Sequence, residues 1–244
     1  MAAYGNMDKG LPGELVGLEV THQIDSRLAK GAVPFGGLCF GTGDGEQVTA
    51  KGEGALLGIA ARTALDTPEY VDGEAVNVCR TGKILGTAGE AVSADAEVSV
   101  NASTGKIVAK TSAAAGAKRT VTITLSGTSA AEKVVTVVVG DKVAQVATKT
   151  GTVAAADVAA ALKDALAALD IPFVASVASA VVTLTAKDNG AAANDIAVTG
   201  STTDSTQTVT VANGTSGADT ILNPGWFARS TAEAANDMVI VDLG

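Results

Sequence analysis

One histidine (His22), two cysteines (Cys39 and Cys79) and four Phe, two Tyr and one Trp are few for 244 residues. A histidine-based zinc site and a disulfide-dense framework are thereby nearly excluded, and no metal or organic cofactor is expected. The opening Met1-Ala-Ala-Tyr-Gly-Asn-Met-Asp-Lys-Gly10 has neither a basic start nor an apolar h-region, so it does not read as a signal peptide. Two thiols in such a chain are expected to be buried and reduced. No apolar run approaches the roughly 18 residues that a membrane helix needs. Basic residues are also short, 17 against 26 acidic ones, for a net charge of −9. That balance argues against nucleic acid, whose phosphates need Lys and Arg to displace counterions. A soluble protein, without membrane or nucleic-acid partners and staying where it is synthesised, is the expectation.

Hydrophobic residues make up 47% of the chain and aromatics 3%. Ala, Val, Gly and Thr must therefore do most of the packing, which favours thin sheet layers over a deep enzyme-like pocket. The length suffices for one large core or two modest ones. Residues 1–14 hold three Gly and one Pro and show no periodicity. They are read as an arm that orders on contact with a partner. From Leu15 to about Lys110, short β-type runs alternate with turn signals, the all-β pattern. The runs are 15–23, 37–40, 47–50, 56–63, 75–80, 83–85, 97–100 and 106–109. Between the first two lies Asp25-Ser-Arg-Leu-Ala-Lys-Gly-Ala-Val-Pro-Phe-Gly36, whose glycines and Pro34 suit an exposed bend from one strand into the next.

Composition changes near Thr111. From 111 to 217 Thr, Ala and Val dominate and charge is nearly balanced. Runs at 121–125, 134–139, 181–186, 196–199 and 208–211 read as strands. In residues 157–169, Val158, Leu162, Ala165, Leu166 and Leu169 form one apolar stripe at helical spacing, with Thr152 as the expected N-cap and Pro172 as the stop. This is a compact α+β module with one helix. After Gly217 the first composition returns, with Trp226-Phe227 and a last strand near Met238–Leu243. The simplest account is insertion. A small β-barrel or β-sandwich domain, 15–110 with 218–244, carries the module 111–217 in one of its loops, where insertions are tolerated.

The candidate chemistry is thin. Gly41-Thr-Gly-Asp-Gly45 lacks the following helix that a phosphate-cradling loop requires, so a plain turn is expected, and only Asp44 has a ligand's chemistry for calcium. His22 has Asp25 nearby, but no Gly-x-Ser-x-Gly elbow exists, and a structural role is favoured. Glu14, Glu19, Asp66, Glu69, Asp72, Glu74, Glu90, Asp95 and Glu97 offer carboxylate pairs without the aromatic platform that sugar hydrolysis uses, and read as a solvated acidic face. The stretch from Arg62 to Tyr70 is a packing corner or an oligomer contact. Trp226-Phe227 divides evenly between core plug and interface anchor.

The run Gly17–Gly36, with Gly58-Ile-Ala60, Tyr70-Val-Asp-Gly-Glu-Ala-Val-Asn-Val78 and Asn223-Pro-Gly-Trp-Phe227, resembles the structural cement, or head decoration, proteins of tailed bacteriophages. The resemblance covers roughly 1–110 and 218–244. It implies a non-enzymatic virion protein, made in the bacterial host cytoplasm, that sits on the outer surface of the capsid as a homotrimer and clamps neighbouring major capsid proteins. In that frame the arm's Tyr4, Met7, Leu11 and Pro12 and the bend's Arg27, Lys30, Pro34 and Phe35 are the expected capsid contacts. Tyr70, Trp226 and Phe227 are the expected oligomer contacts. The module separately looks like the β-β-α-β domains of tail-sheath and other virion surface proteins, through Thr122-Ile-Thr-Leu-Ser-Gly127, Asp157–Leu162 and Val182–Gly190. Two alternatives stay open: a tail or fibre protein with a surface-adhesion domain, and a carbohydrate-active enzyme.

Overall fold

The structure, a computed structural model, describes residues 10–17, 22–52, 54–63, 67–148 and 151–244. The chain divides into two compact units, Met1–Ala115 with Thr220–Gly244, and Gly116–Asp219. Before the second unit run β1 (Gln23–Ala29), β2 (Val33–Pro34), β3 (Leu38–Gly41), β4 (Gln47–Thr49), β5 (Leu56–Ala60), β6 (Glu69–Tyr70), β7 (Ala75–Thr81), β8 (Lys83–Thr87), β9 (Val98–Asn101) and β10 (Lys106–Ala109). Within the second unit lie β11 (Thr120–Ser129), β12 (Val134–Val139), β13 (Lys142–Ala147), β14 (Val153–Ala154), α1 (Ala155–Ala167), β15 (Phe173–Ala178), β16 (Val181–Ala186), β17 (Val198–Thr202) and β18 (Gln207–Asn213). The first unit then resumes with β19 (Ile221–Leu222), β20 (Phe227–Ala228) and β21 (Met238–Asp242). The molecule is mainly β, as its alternating runs and turn signals imply.

In the first unit β1, β4, β3, β5 and β7 close into a barrel. Every neighbouring pair is antiparallel except β1 with β4. An odd ring of strands requires one parallel neighbour, because directions that alternate cannot close on an odd number. The barrel interior is filled by Ala29, Val33, Phe35, Cys39, Val48, Ala60, Tyr70, Val76 and Val78. Leu38, Phe40, Ile59 and Cys79 point out of the same strands into a second cluster with Ile84, Val100, Ile107, Trp226 and Val239. The sheets β20-β21-β8 and β10-β9-β19 supply much of that cluster. Strands covered on both faces read as continuous apolar runs, which is why Leu38-Cys39-Phe40 shows no alternation.

The two layers meet at a β-bulge. The β3–β5 register skips Leu57, pairing Cys39 with Gly58 and Phe40 with Leu56. Gly58 has φ 156°, and a Cβ there would lie 2.1 Å from the Cys79 carbonyl oxygen. No side chain fits at that approach.

Three expectations are corrected here. The stretch 25–36 is not a bend throughout: β1 continues to Ala29, and the turn narrows to the residues around Gly31, φ 82°. Ala29 faces the barrel interior and holds the strand, while Arg27 and Asp25 neutralise each other at its other end. The strand expected from Leu15 to Gln23 starts only at Gln23, with Leu15 an isolated bridge to Ile84, and residues 18–21 lie outside those described. Within the expected arm, residues 13–14 are fixed to the unit itself. Gly13 donates to the Leu85 carbonyl at 2.8 Å, Arg62 donates to the Gly13 carbonyl at 2.7 Å, and Leu85 donates to the Glu14 carbonyl at 2.9 Å. That segment covers the edge of β8 that β21 leaves open.

In the second unit β15, β16, β11 and β18 form one sheet, with β14 pairing the far end of β11, and β13, β12 and β17 form another. Val121, Ile123 and Leu125 of β11, Val135, Val137 and Val139 of β12, and Val182 and Leu184 of β16 share one core with Val158, Leu162 and Leu166 of α1. At Gly127, φ 82°, β11 passes from pairing β18 to pairing β14, and a Cβ would lie 2.1 Å from the Thr206 carbonyl oxygen. The helix begins two residues before 157, and its N-cap is Ala154 without a side-chain bond, not Thr152. Val153–Ala154 pairs with β11, so the strand sets the entry and leaves Thr152 outside the first turn. Strands β13, β14 and β15 are additions to the expected set. Nearby, the buried Asp204 carboxylate accepts from the Ala130 and Thr206 amides and the Thr206 hydroxyl. The two backbone amides, first of all, pull its pKa down to about 2.

Gly58→Ala is expected to cost about 2–4 kcal/mol through strain and overpacking, read as a lowered denaturation midpoint with an unchanged denaturant slope. The crossing chains at the neck also suggest an experiment. Ala114 and Ile221 exchange backbone bonds within the first unit at 3.0 and 2.9 Å. Replacing 116–219 by a short Gly-Ser bridge should therefore leave a folded, cooperatively melting remainder, since closing a short loop costs little. A molten or insoluble product would show that the two units depend on one core.

Candidate functional site

A groove of about 670 Å³ opens on the first unit. Gln23, Leu56, Leu57, Arg80, Thr81, Leu222, Asn223, Pro224 and Trp226 line it. Arg80 is the one ionisable side chain among them, and it leans on Asp25 at 3.6 Å. Asn223 Oδ1 is already used as the acceptor for the Ser99 hydroxyl at 2.6 Å.

A second hollow of about 450 Å³ opens at the parallel seam, among Asp25, Ser26, Arg27, Leu28, Gly45, Glu46 and Ala75. The seam is short: only Leu28–Gln47 and Ala29–Val48 pair there, so the first half of β1 has no neighbour from β4. Ile24 on that half and Leu28 at the seam itself, 41% and 43% exposed, stand outward. Arg27 donates to Asp25 Oδ2 through Nε at 3.0 Å and Nη2 at 2.6 Å. Such an exposed pair contributes little to stability.

The expected contact residues divide by burial. Leu11 is half exposed, Pro12 and Arg27 partly so, and Lys30, Pro34 and Phe227 are exposed. Tyr4 and Met7 lie outside the described residues. Phe35, Tyr70 and Trp226 are buried in the unit's own core. Phe35 and Tyr70 meet edge to face at 5.0 Å, with the Arg62 guanidinium 5.1 Å from the Phe35 ring centre. The Tyr70 hydroxyl donates to the Ala61 carbonyl at 2.6 Å, and burial pushes its pKa up. With so few aromatics the core takes these three first, although Trp226 also lines the groove. Phe227 turns the other way. Arg229 sits 5.7 Å from its ring centre and is itself held by Asp242 and Asp95.

Groups with reactive potential are occupied structurally. His22 Nε2 donates to the Lys83 carbonyl at 3.0 Å. Cys39 and Cys79 are free and buried, and burial raises their pKa values to about 12 and about 11, so both remain protonated thiols at neutral pH. Asp44 Oδ1 accepts from the Glu46 amide at 3.0 Å and the Gln47 amide at 2.9 Å, which makes Gly41–Gly45 a self-capped turn running into β4. The acidic face is likewise spent on backbone and lysine. Asp72 caps the Gly31 amide, Glu74 the Val71 amide and Glu90 the Ala109 amide, while Glu97 pairs with Lys110. Glu19 and Asp66 lie outside the described residues. Among the described residues no group of three or more His, Cys, Asp or Glu is placed to hold a metal ion, and no helix is long and apolar enough to cross a membrane.

The outward residues of β1 escape the sequence argument, because the bend expected over 25–36 takes in Leu28 and leaves Ile24 between it and the preceding run. The signal that marks them is parity: Ala29 faces inward, so 24, 26 and 28 face out.

Truncating Trp226 to Ala is expected to cost about 3–5 kcal/mol as a core cavity. Phe227→Ala should stay within about 1 kcal/mol of the parent. Chemical denaturation of both variants checks the division between the neighbouring aromatics.

The family model described as structural cement protein (E217 gp24/Pam3 gp6), a phage cement family, matches residues 2–139. The match runs through β12 and so includes the first two strands of the second unit, whereas the resemblance in the sequence stopped near 110 and resumed at 218. No curated protein matches the chain.

Proposed function

The chain belongs to the structural cement protein family of phages, and from that membership we propose that it binds the outside of the phage head and clamps neighbouring major capsid proteins. A structural role in the virion, in association with the capsid, comes with the family. The finer reading is of a non-enzymatic homotrimer whose first unit does the attaching. The observation that carries it is the family match across the whole barrel, 2–139. The surface supports it further: Leu11, Leu15, Ile24, Leu28, Val71 and Phe227 are large apolar side chains left exposed on the first unit.

Attachment is assigned first to the segment before Gly13. From Gly13 onward the backbone is bonded to β8 and to Arg62, so the preceding residues leave from the edge of a sheet. A segment leaving there is placed to add itself to a neighbour's strand edge. Four such bonds contribute only about 0.5–1.5 kcal/mol each, net, and must still offset the ordering of the segment. One copy therefore binds weakly. Three segments on one trimer make later contacts intramolecular, raising avidity by about 10²–10⁴.

The test uses purified undecorated heads and sedimentation at matched protein concentration. Deleting residues 2–12 should leave the fold and the trimer mass unchanged and lower occupancy by about tenfold or more. Undiminished occupancy would move the contact to the outward face of β1, where Leu28→Lys would then abolish it. Loss of occupancy in neither variant would overturn the attachment through this unit.

A further inference from the structure

The second unit has an unprotected edge. Among the described residues strand β15 pairs with β16 alone, and its sequence Phe173-Val-Ala-Ser-Val-Ala178 contains no charge, proline or glycine. Val174 is 57% and Val177 38% exposed, two of the three large apolar side chains that this unit leaves in solvent. The third, Val143, lies on β13, whose ladder is only to β12 but which carries Lys142. In the first unit the β8 edge is covered by residues 13–16 and the last residue of β10 is capped by Glu90. Long uncharged edges are what folded proteins ordinarily blunt.

The face beside that edge is also uncharged. Ser176 lies opposite Thr183, Thr183 opposite Thr122, and Thr122 opposite Ala212, a row of small hydroxyl and methyl groups across four strands. None of the outward positions on β15, β16, β11 or β18 carries a charge. Charge is kept elsewhere in the chain. Residues 116–219 hold nine acidic and seven basic residues, so seven of the nine net negative charges belong to the first unit. Two copies that repel through their first units meet no such penalty at β15.

We propose that β15 is a self-association edge, pairing antiparallel with β15 of a second copy about a two-fold axis. The symmetry restricts the register. An axis perpendicular to the sheet keeps outward residues opposite outward residues, so the centre falls on a residue and not between two. Centring on Ser176 pairs Val174 with Ala178 and keeps Pro172, which has no amide to donate, out of the ladder. Centring on Ala175 would bring Pro172 opposite Ala178. The register is therefore Ser176 against Ser176, extending the sheet across the two copies. A contact of about five residue pairs is weak by itself. It becomes effective where copies are held side by side, linking neighbours whatever holds them there.

Disulfide capture in the full-length protein tests this without any particle. Cys39 and Cys79 are buried, which leaves an introduced thiol as the accessible one. Directly opposed strand residues have Cα separations of about 4.5–5.5 Å, within disulfide reach. Under a mild oxidant, Ser176→Cys is expected to give a covalent dimer in at least about tenfold greater yield than Val143→Cys on the charged edge, and adding Val174→Lys should suppress it. Circular dichroism confirms that each variant is folded. Equal yields at the two sites would mean random collision and overturn the proposal, as would no dimer at Ser176. Capture of a capsid protein instead, when undecorated heads are added, would assign the edge to that partner and also overturn self-pairing. None of these outcomes depends on whether the first unit attaches to a shell.

Discussion

Everything in the first unit depends on β3, β5 and β7 being buried on both faces. Each of these strands sends one set of side chains into the barrel and the other into the cluster under β8, β9 and β21. A chain with so few aromatics cannot fill one deep core, but it can fill two shallow ones that share a wall. The wall must then change register so that Leu57 and Ala60, three apart, both face the barrel while Leu56 and Ile59 face the other side, and the bulge at Gly58 does this where only hydrogen fits. The same double burial keeps both cysteines protonated and draws Phe35, Tyr70 and Trp226 into the unit's own core.

The alternating runs were legible as strands because turn signals bounded them, and the helix because Val158, Leu162 and Leu166 recur on one face. What escaped the sequence has specific causes. Strand β15 ends in a two-residue turn, Ser179-Ala180, with Ser179 at φ 51° where Gly or Asn is the usual marker. The bend expected over 25–36 rests on its glycines and Pro34, all of which lie beyond Ala29, and nothing local marks the strand before them. Barrel closure could not be read at all: the parallel pairing of Leu28–Ala29 with Gln47–Val48 joins segments that no local pattern connects. The aromatic pair was legible only as an even division between core plug and interface anchor; burial puts Trp226 in the core and leaves Phe227 41% exposed.

The second unit solves the same shortage of large side chains by bringing its layers close together. At Gly200 of β17 a Cβ would stand 2.7 Å from Val209 Cγ1 of β18, so the two strands approach as near as backbone allows. Small inward residues give thin layers, and Thr, whose branched side chain suits a pleated sheet, covers the outside. Such a surface gains its stability without lysine or glutamate. It also lacks the charge that ordinarily keeps sheet edges apart.

That division sets how each unit can take part in an assembly. Charged contacts on the first unit weaken with salt over a Debye length of about 8 Å at physiological ionic strength. Backbone pairing along an uncharged strand has no such dependence, and its specificity comes from register and side-chain size. A protein whose net charge sits almost wholly in one unit can remain dispersed while free, because distant approach is dominated by repulsion. Once a surface holds copies at short range, the repulsion has already been overcome by attachment, and the neutral edges of the second unit are what remain to meet. Dispersal and lateral pairing are thus compatible in one chain because different units carry them.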